Sequence, residues 1–170
     1  MELSVRRATE DDLDSLAALV VRANATYREW AGDSWAPPGI DHERGRWRER
    51  FHDPAAWNAV AVSNGERCGC VSFTDAREGK GAGEAIPELA HLSRLFVDPG
   101  SWGQGIGSLL LTRAVEEMHT RGYSRAQLYT AAGNERSRRF YERHGWVAGE
   151  ETRQWQGLVL IRYSLPLGGA

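Results

Sequence analysis

The feature that most constrains the fold is a β-like run that passes through a glycine-rich turn directly into an amphipathic helix. Apolar residues dominate the run Leu89–Val97, which Asp98-Pro99-Gly100 brings to an end. The turn is Gly103–Gly107, and apolar residues then recur at helical spacing as far as Arg121. Gly122 occupies the position where helix C-termini favour glycine. This order of strand, turn and helix predicts an α/β domain in which the helix begins at the turn.

The start of that helix is a candidate anion site. Its first backbone N–H groups are unpaired and carry partial positive charge, and the glycines at 103, 105 and 107 let an anion approach them closely. A phosphate group fits such a turn, although glycine could also serve there only for its dihedral angles. Ser108 replaces the third glycine of a dinucleotide fingerprint, and Lys80, the single lysine, lies too far upstream for a P-loop.

The composition is that of an ordinary globular protein. Of 170 residues, 41% are hydrophobic and 26% are charged, which predicts one domain over residues 1–170 with a real core. The 23 acidic and 21 basic residues give a net charge of −2, which argues against a nucleic-acid partner. The N-terminus has no signal-peptide pattern, and no apolar run approaches the ~20 residues that span a bilayer. We therefore expect a cytoplasmic protein without a membrane partner.

The two cysteines, Cys68 and Cys70, are separated only by Gly69. On a strand, alternate side chains point to the same face without the geometry for a disulfide, so both are expected to be free thiols. Their spacing is not the two-residue gap of zinc and redox motifs, so we expect no metal here.

The rest of the chain predicts further strands and helices. Asn64-Gly65 between two β-like runs is the strongest hairpin signal. The expected elements are a strand at Leu3–Arg7, a helix from Thr9 to about Ala25, an aromatic loop at Tyr27–Asp41, a mostly solvated helix at Asp41–His52, a hairpin of Ala56–Ser63 and Arg67–Thr74, a mobile turn at Ala76–Ile86, a strand at Ala126–Ala131, a helix from Asn134 to Gly145, and two closing strands at Trp146–Gln154 and Leu158–Leu165.

The segments around the glycine turn occur in a familiar order. Leu92–Val97, Asp98-Pro99, Trp102–Gly107, Asn134 and Phe140–Trp146 together resemble the acyl-CoA binding core of the GNAT superfamily of N-acetyltransferases. The resemblance covers about residues 90–150, and the opening residues 6–13 look like the first strand and helix start of the family. It implies one α/β domain whose sheet of about seven strands is mixed, mostly antiparallel, splayed after the fourth strand and flanked by about four helices.

The resemblance also implies acetyl-CoA as co-substrate. Its pyrophosphate would lie on the backbone of the glycine turn, and its pantetheine arm would bond to Leu95 and Val97 like an added strand. The family often has Gln or Arg at the position of Trp102, so we expect one side-chain contact to the pyrophosphate to be missing. The residues implied to bind the cofactor are Leu95, Phe96, Val97, Gly103, Gln104, Gly105, Ile106, Gly107, Ser108, Asn134 and Tyr141.

Acetyl transfer to an amine also needs a base and an acid. Tyr141 stands where the family places a tyrosine near the cofactor sulfur, which implies a general acid, whereas Asn134 either contacts the pantetheine or only caps its helix. The first candidate base is His91, because strand alternation predicts that it shares a face with Leu95 and its ordinary pKa is near 6.5. Glu88 is the second. Either could instead be a polar residue at a strand edge.

The acceptor is left open between a small-molecule amine and a protein N-terminus or lysine. We expect Tyr27–Pro38 and the glycine-rich loop before Glu88 to form the acceptor site, with Trp30, Trp35 and Asp33 receiving a cationic amine. Exposed aromatic residues on the closing strands would suit a homodimer formed through the sheet edge.

The expected reaction is direct attack of the amine on the thioester. Neither Cys68 nor Cys70 is on a segment expected to reach the thioester, which argues against an acyl-enzyme. The alternative is a non-catalytic acyl-CoA sensor. Both Trp102 and the lack of an unambiguous carboxylate base are compatible with it. The presence of Tyr141 favours the enzyme.

Overall fold

The structure is a computed structural model that describes residues 2–168. Within these residues, seven strands form one mixed sheet, and helices cover both of its faces. The elements in chain order are β1 (Leu3–Arg7), α1 (Leu13–Ala25), α2 (Arg28–Ala31), α3 (Ile40–His52), β2 (Trp57–Ser63), β3 (Glu66–Arg77), β4 (Ala85–Val97), α4 (Ile106–Thr120), β5 (Arg125–Ala131), α5 (Glu135–Arg143), β6 (Val147–Trp155) and β7 (Leu158–Pro166).

The strand order in the sheet is β1-β2-β3-β4-β5-β7-β6. Only the β4–β5 pair is parallel, because the chain crosses from one strand to the other through α4. The predicted α/β fold with a mostly antiparallel sheet of seven strands is therefore confirmed. The predicted hairpin is present as β2–β3, with Asn64 and Gly65 at φ values of 51° and 82° in the turn.

Two apolar clusters fix the helices to the sheet. Beneath α4, Leu110 and Met118 are fully buried in a cluster with Phe73 of β3. On the other face, α1 and α3 pack together over the sheet, and Trp47 of α3 is wholly buried with Leu16 of α1. The prediction that α3 is mostly solvated is therefore only partly right, since one of its faces is anchored in the core.

Two irregularities reverse the alternation that the sequence pattern assumes. The β2–β3 register shifts beside Cys68, so Cys68 packs beneath α4 while Cys70 packs with α1 and α3. The two thiols are free, as predicted, but the prediction that they share a face is wrong. The β3–β4 register likewise shifts at Ser93. Alternation is inverted there, so His91 does not share the face of Leu95.

The sheet opens between β4 and β5. These strands pair only from Leu89–His91 on β4, opposite Arg125–Gln127 on β5. Beyond His91 the remaining residues of β4 pair with β3 alone, while β5 continues against β7. The predicted splay after the fourth strand is thus present, and it leaves a gap between the strand ends.

The closing hairpin, β6 and β7, turns its aromatic residues inward. Tyr163 is wholly buried, and Trp155 packs against Trp35 with 5.6 Å between ring centroids. The exposed large apolar residues are Val147 and Val159, so the prediction of exposed aromatics on these strands is wrong. The homodimer stays a prediction. Within residues 2–168, no helix is both long and apolar enough to cross a membrane.

Candidate active site

The free edge of β4 presents backbone groups to the gap. Asp98 donates its N–H to the carbonyl of Cys68 on β3, at 2.9 Å. Because successive residues of a strand point their backbone groups to opposite edges, Val97 and Leu95 direct theirs away from β3 and toward the gap. The indole N–H of Trp102 donates to the Val97 carbonyl at 3.0 Å, which leaves the Val97 N–H available.

The glycine turn lies at the end of this edge. Gly103 and Gly105 have φ values of 80° and 79°, a conformation that L side chains rarely adopt. The turn directs the chain into α4, whose first unpaired N–H groups lie at the end of the gap. A Cβ atom built on Gly107 would lie 3.5 Å from the Phe140 ring and 3.6 Å from Val97. The backbone at this turn is therefore open to a close ligand.

A cavity of about 1080 Å³ extends from the gap over the turn, and we call it the glycine-turn cavity. Gln104 is exposed and lies outside its lining. The other residues predicted to bind the cofactor all line it: Leu95, Phe96, Val97, Gly103, Gly105, Ile106, Gly107, Ser108, Asn134 and Tyr141.

Arginines of α5 border the same cavity. Arg136, Arg139 and Arg143 line it, and the Arg136 guanidinium lies 3.8 Å from the centroid of the Trp102 ring. Trp102 thus holds a cation beside the turn through its ring, where the resembled family often has a polar side chain. No sequence pattern indicates this pairing, because the two residues lie on separate elements.

Tyr141 and Tyr27 line both cavities of the site. Tyr141 is almost fully buried, and its burial, with a smaller effect of Tyr27, raises the pKa of its phenol well above the ordinary value. Burial also raises the pKa of Tyr27 to about 12, an effect that a hydrogen bond to the Asn134 side chain partly offsets. Asn134 additionally accepts the Ser137 N–H at 3.2 Å, so it caps α5 and lines the cavity at once.

The second cavity, which we call the arginine cavity, has a volume of about 570 Å³. It shares Tyr27, Leu95, Phe96, Ser137 and Tyr141 with the glycine-turn cavity, so the two meet at the free edge of β4. The charged side chains that line it are Glu43, Arg46, Arg50, Arg94 and Arg153.

His91 lies in the arginine cavity, with its ring 6.2 Å from that of Tyr129. Its Nδ1 atom is buried and has no hydrogen-bond partner among residues 2–168. Burial lowers the pKa of His91 to about 4, and the nearby charges of Arg153 and Arg50 contribute. The imidazole is therefore neutral at pH 7 and has a free lone pair or N–H.

Glu88 does not reach either cavity. It is exposed in a left-handed conformation with φ of 61°, and its carbonyl accepts the Ser124 N–H at 3.0 Å. It precedes Leu95 by seven residues, which corresponds to roughly 20 Å of strand. The structure therefore does not bring this carboxylate to either cavity, and Glu88 as the base stays a prediction.

The expected acceptor residues also lie apart from His91. Trp35 is buried, and its indole N–H donates to the Asn24 carbonyl at 2.8 Å. Trp30 lines the glycine-turn cavity instead and packs closely on Gly133, while Asp33 is exposed. Of the expected segments, Tyr27 alone lines the arginine cavity. The walls of the arginine cavity come mainly from α3, β4, β5 and β6, and no sequence pattern links these elements to one another.

Comparison with known proteins agrees with this geometry. The profile of the Acetyltransferase (GNAT) family matches residues 24–146. An uncharacterized N-acetyltransferase of Methanocaldococcus jannaschii is 33% identical over 168 residues, a match that covers 92% of this chain. The chain spans 66% of the length of that relative, just under two thirds.

Solved structures share the fold. A ribosomal-protein-alanine N-acetyltransferase from Brucella melitensis superposes with a TM-score of 0.73 at 23% identity, over 96% of this chain and 99% of its own. The protein yncA from Salmonella typhimurium, solved with its cofactor acetyl-CoA, has a TM-score of 0.72 at 20% identity, over 99% and 95% of the two chains. With the sheet opened after β4, the glycine turn at the start of α4 and a family profile that spans most of its length, this chain belongs to the GNAT family of acetyltransferases.

Proposed function

We propose that the protein is an acetyl-CoA-dependent N-acetyltransferase in which an amine attacks the thioester directly. The observation that carries the proposal is the meeting of two cavities at Tyr141. One contains a helix N-terminus and a free strand edge, as a pyrophosphate and an amide-rich arm require. The other is a separate polar cavity beside a neutral histidine, which suits a second substrate.

The residues that line the glycine-turn cavity fit acetyl-CoA. The N–H groups at the start of α4 and the α5 arginines would receive its phosphates, and Leu95 and Val97 would offer main-chain groups to the pantetheine arm. Gly107 lines the same cavity, and without a side chain it would let the cofactor approach the backbone there. When bound, acetyl-CoA supplies an acetyl group activated as a thioester.

The chain itself supplies proton transfer. As the N–C bond forms and the C–S bond breaks, the amine loses a proton and the sulfur gains one. His91 is our candidate acceptor for the amine proton, directly or through water, because it lines the arginine cavity and its imidazole is neutral. Tyr141 stays protonated because its pKa is raised, so its O–H can donate to the departing sulfur. The products are one amide and one thiol.

A covalent acyl-enzyme is disfavoured by the positions of the thiols. Cys70 is fully buried with α1 and α3, where burial raises its pKa to about 12. Cys68 is buried on the other face, and its Sγ donates to the Ala61 carbonyl at 3.4 Å. A nucleophilic cysteine needs an accessible thiolate, so neither residue fits that role.

The test is thermal unfolding with acetyl-CoA and with CoA, followed by release of free CoA in the presence of an amine panel. A ligand at 100 times its Kd adds about 2.7 kcal/mol, so a Tm shift of several degrees is expected. Tyr141→Phe should keep this shift but lower kcat about 10- to 100-fold, since it removes the donor to sulfur.

Tyr123→Phe is the control for this variant. The Tyr123 hydroxyl donates to Asp75 at 2.6 Å and lies outside both cavities, so turnover should be unchanged. Phe140→Leu would not serve as a control, because Phe140 lines the glycine-turn cavity. Stabilisation by acetyl-CoA without turnover of any amine would support the sensor alternative. No stabilisation at millimolar acetyl-CoA would exclude both functions.

A further inference from the structure

The arginine cavity carries a charge that its expected amine substrate alone does not explain. The protein has a net charge of −2, yet four arginines and a single glutamate line this cavity. A purely cationic amine, such as a polyamine, would be repelled by that surface. The charge pattern therefore indicates a second, anionic group on the acceptor.

The only carboxylate of the lining is already occupied. Glu43 pairs with Arg94 at 2.6 Å, and both side chains are buried. The Arg94 guanidinium also lies over the Trp47 ring, and its Nε has no hydrogen-bond partner within residues 2–168. Glu43 thus balances Arg94, and Arg46 pairs at 3.2 Å with Glu49, which lies outside the lining. Within residues 2–168 this leaves Arg50 and Arg153 as the lining arginines without a carboxylate partner.

Arg50 and Arg153 are the arginines best placed to bind an anion. Arg50 forms no salt bridge within the described residues; its Nε contacts the Ser93 hydroxyl at 3.4 Å, and its Nη1 contacts the Arg46 carbonyl at 3.3 Å. Burial and the neighbouring charges of Arg94 and Arg46 lower its pKa to about 9. Arg153 lies 4.1 Å from the Tyr129 ring centroid and likewise has no carboxylate within salt-bridge distance in the described chain.

We infer that the acceptor is an amine that also carries a carboxylate, such as a free amino acid, and that Arg50 and Arg153 bind this carboxylate. The inference rests on the proposed acetyltransferase function and specifies its substrate. Guanidinium groups match the planar geometry of a carboxylate, and a partly desolvated arginine gains most from such a partner. With the carboxylate held there, the amine lies in the same cavity as His91 and Tyr141.

The test compares matched acceptors in the CoA-release assay. L-Phenylalanine is paired with phenethylamine and with phenylalaninamide, L-leucine with isopentylamine, and glycine with aminomethylphosphonate; the remaining amino acids and spermidine complete the panel. The members that turn over should be carboxylates, with kcat/KM at least 10-fold above that of their counterparts that lack a carboxylate. Preference for the phosphonate would mean that the anion is a phosphate-like group, and it would overturn the carboxylate assignment.

Variants locate the contact. Arg50→Gln and Arg153→Gln should each lower kcat/KM for the best amino acid roughly 10- to 100-fold, the usual effect of losing a charge-assisted hydrogen bond. They should not lower kcat/KM for its decarboxylated counterpart, because that amine has no carboxylate to lose and the removed cation repels it. Arg48→Gln is the control, since Arg48 is an exposed residue of α3 outside the cavity and should behave as wild type.

A binding measurement separates this inference from the proposed function. With CoA present, the N-acetyl form of the best amino acid should raise the Tm of the wild type but not that of Arg50→Gln. Equal turnover of amines that lack a carboxylate, or no turnover of any amino acid by a protein that acetyl-CoA stabilises, would overturn the carboxylate inference alone. Failure of acetyl-CoA to stabilise the protein would instead overturn the proposed function.

Discussion

Single residues of the glycine turn contribute in two different ways. Gly103 and Gly105 are required by their positive φ values, so a side chain there would strain the backbone by about 1–2 kcal/mol. Gly107 has an ordinary helical conformation, and a methyl group would meet its neighbours only at van der Waals distance. The absence of a side chain at Gly107 is therefore not needed by the fold, and we predict that the ligand needs it.

Gly107→Ala tests this distinction. The variant should be as stable as the wild type or more stable, by about 0.5–1 kcal/mol, because alanine is the better helix former. Its affinity for acetyl-CoA should nevertheless fall at least 10-fold, since the new methyl group lies in the glycine-turn cavity. Differential scanning fluorimetry measures the first quantity and isothermal titration calorimetry the second.

Gly45→Ala is the matched control for that variant. Gly45 also lies within a helix, has no atom within 4 Å of its built Cβ, and lines neither cavity. It should gain the same helix stability and keep wild-type affinity for acetyl-CoA. If Gly107→Ala also keeps that affinity, the cofactor does not approach the backbone at this residue.

At the scale of elements, one buried carboxylate joins three segments. Asp12, at the start of α1, pairs with Arg6 of β1 at 2.8 Å and with Arg67 of β3 at 2.9 Å, and it accepts the Thr9 N–H at 2.9 Å. The Asp12 side chain is fully buried, whereas Arg6 is 45% exposed. These hydrogen bonds hold the pKa of Asp12 far below its ordinary value.

Asp12→Asn should lower the free energy of unfolding by about 1–2 kcal/mol at pH 7, because the two arginines lose their charged partner. Water screens only the exposed parts of the two arginine side chains, so it does not offset this loss in full. A carboxylate with a lowered folded-state pKa stabilises above its unfolded pKa, near 3.9, and loses this effect as the pH falls toward the folded value. The difference from wild type should therefore shrink between pH 4 and pH 2 in urea unfolding.

Asp14→Asn provides the control for this prediction. Asp14 is on the same helix and also pairs with an arginine, Arg44, but its side chain is 80% exposed. Its replacement should change stability by less than about 0.5 kcal/mol at any pH. A comparable loss for both variants would show that the buried network around Asp12 has no special role.

Sequence reasoning worked for elements whose signals are local. The hairpin at Asn64-Gly65 and the helix that ends before Gly122 both follow from short-range turn and cap chemistry. The prediction of which sheet face His91 lies on is wrong, because the irregularity at Ser93 inverts the alternation of side chains along the strand. Whether a strand contains such a bulge depends on its pairing partner, which the strand's own sequence does not specify.

At the scale of the whole molecule, the two halves of the site differ in how close together in the sequence their residues lie. The proposed cofactor half comes mainly from residues 95–108 and 133–143, with one further wall from residues 23–30, so most of it is visible in the sequence as a motif. The acceptor half brings together Arg50 of α3, Arg94 of β4 and Arg153 of β6 across the sheet opening. Scattered arginines in an arginine-rich chain give no signal until the fold places them in one cavity.

This convergence couples substrate binding to the candidate base. The pKa of His91 is about 4, lowered by burial and by Arg153 and Arg50, the same arginines inferred to bind the carboxylate. A bound carboxylate places a negative charge beside the ring and favours the imidazolium. The pKa of His91 should therefore rise by about one unit or more on binding, which makes the histidine a better base only when the acceptor is present.

NMR titration of the His91 ring resonances checks this prediction with and without an N-acetyl amino acid in the presence of CoA. The groups that face His91 are Arg50 from α3, Arg153 from β6 and Tyr129 from β5. Arg153→Gln should raise the pKa of the free protein, because it removes one of the cations that oppose protonation, and it should reduce the further rise caused by the ligand. The corresponding N-acetyl amide, which has no charge, should leave the pKa where it is in the free protein. If the carboxylate ligand binds and the pKa of His91 does not move, the ligand is not held beside the ring and substrate binding does not activate the base.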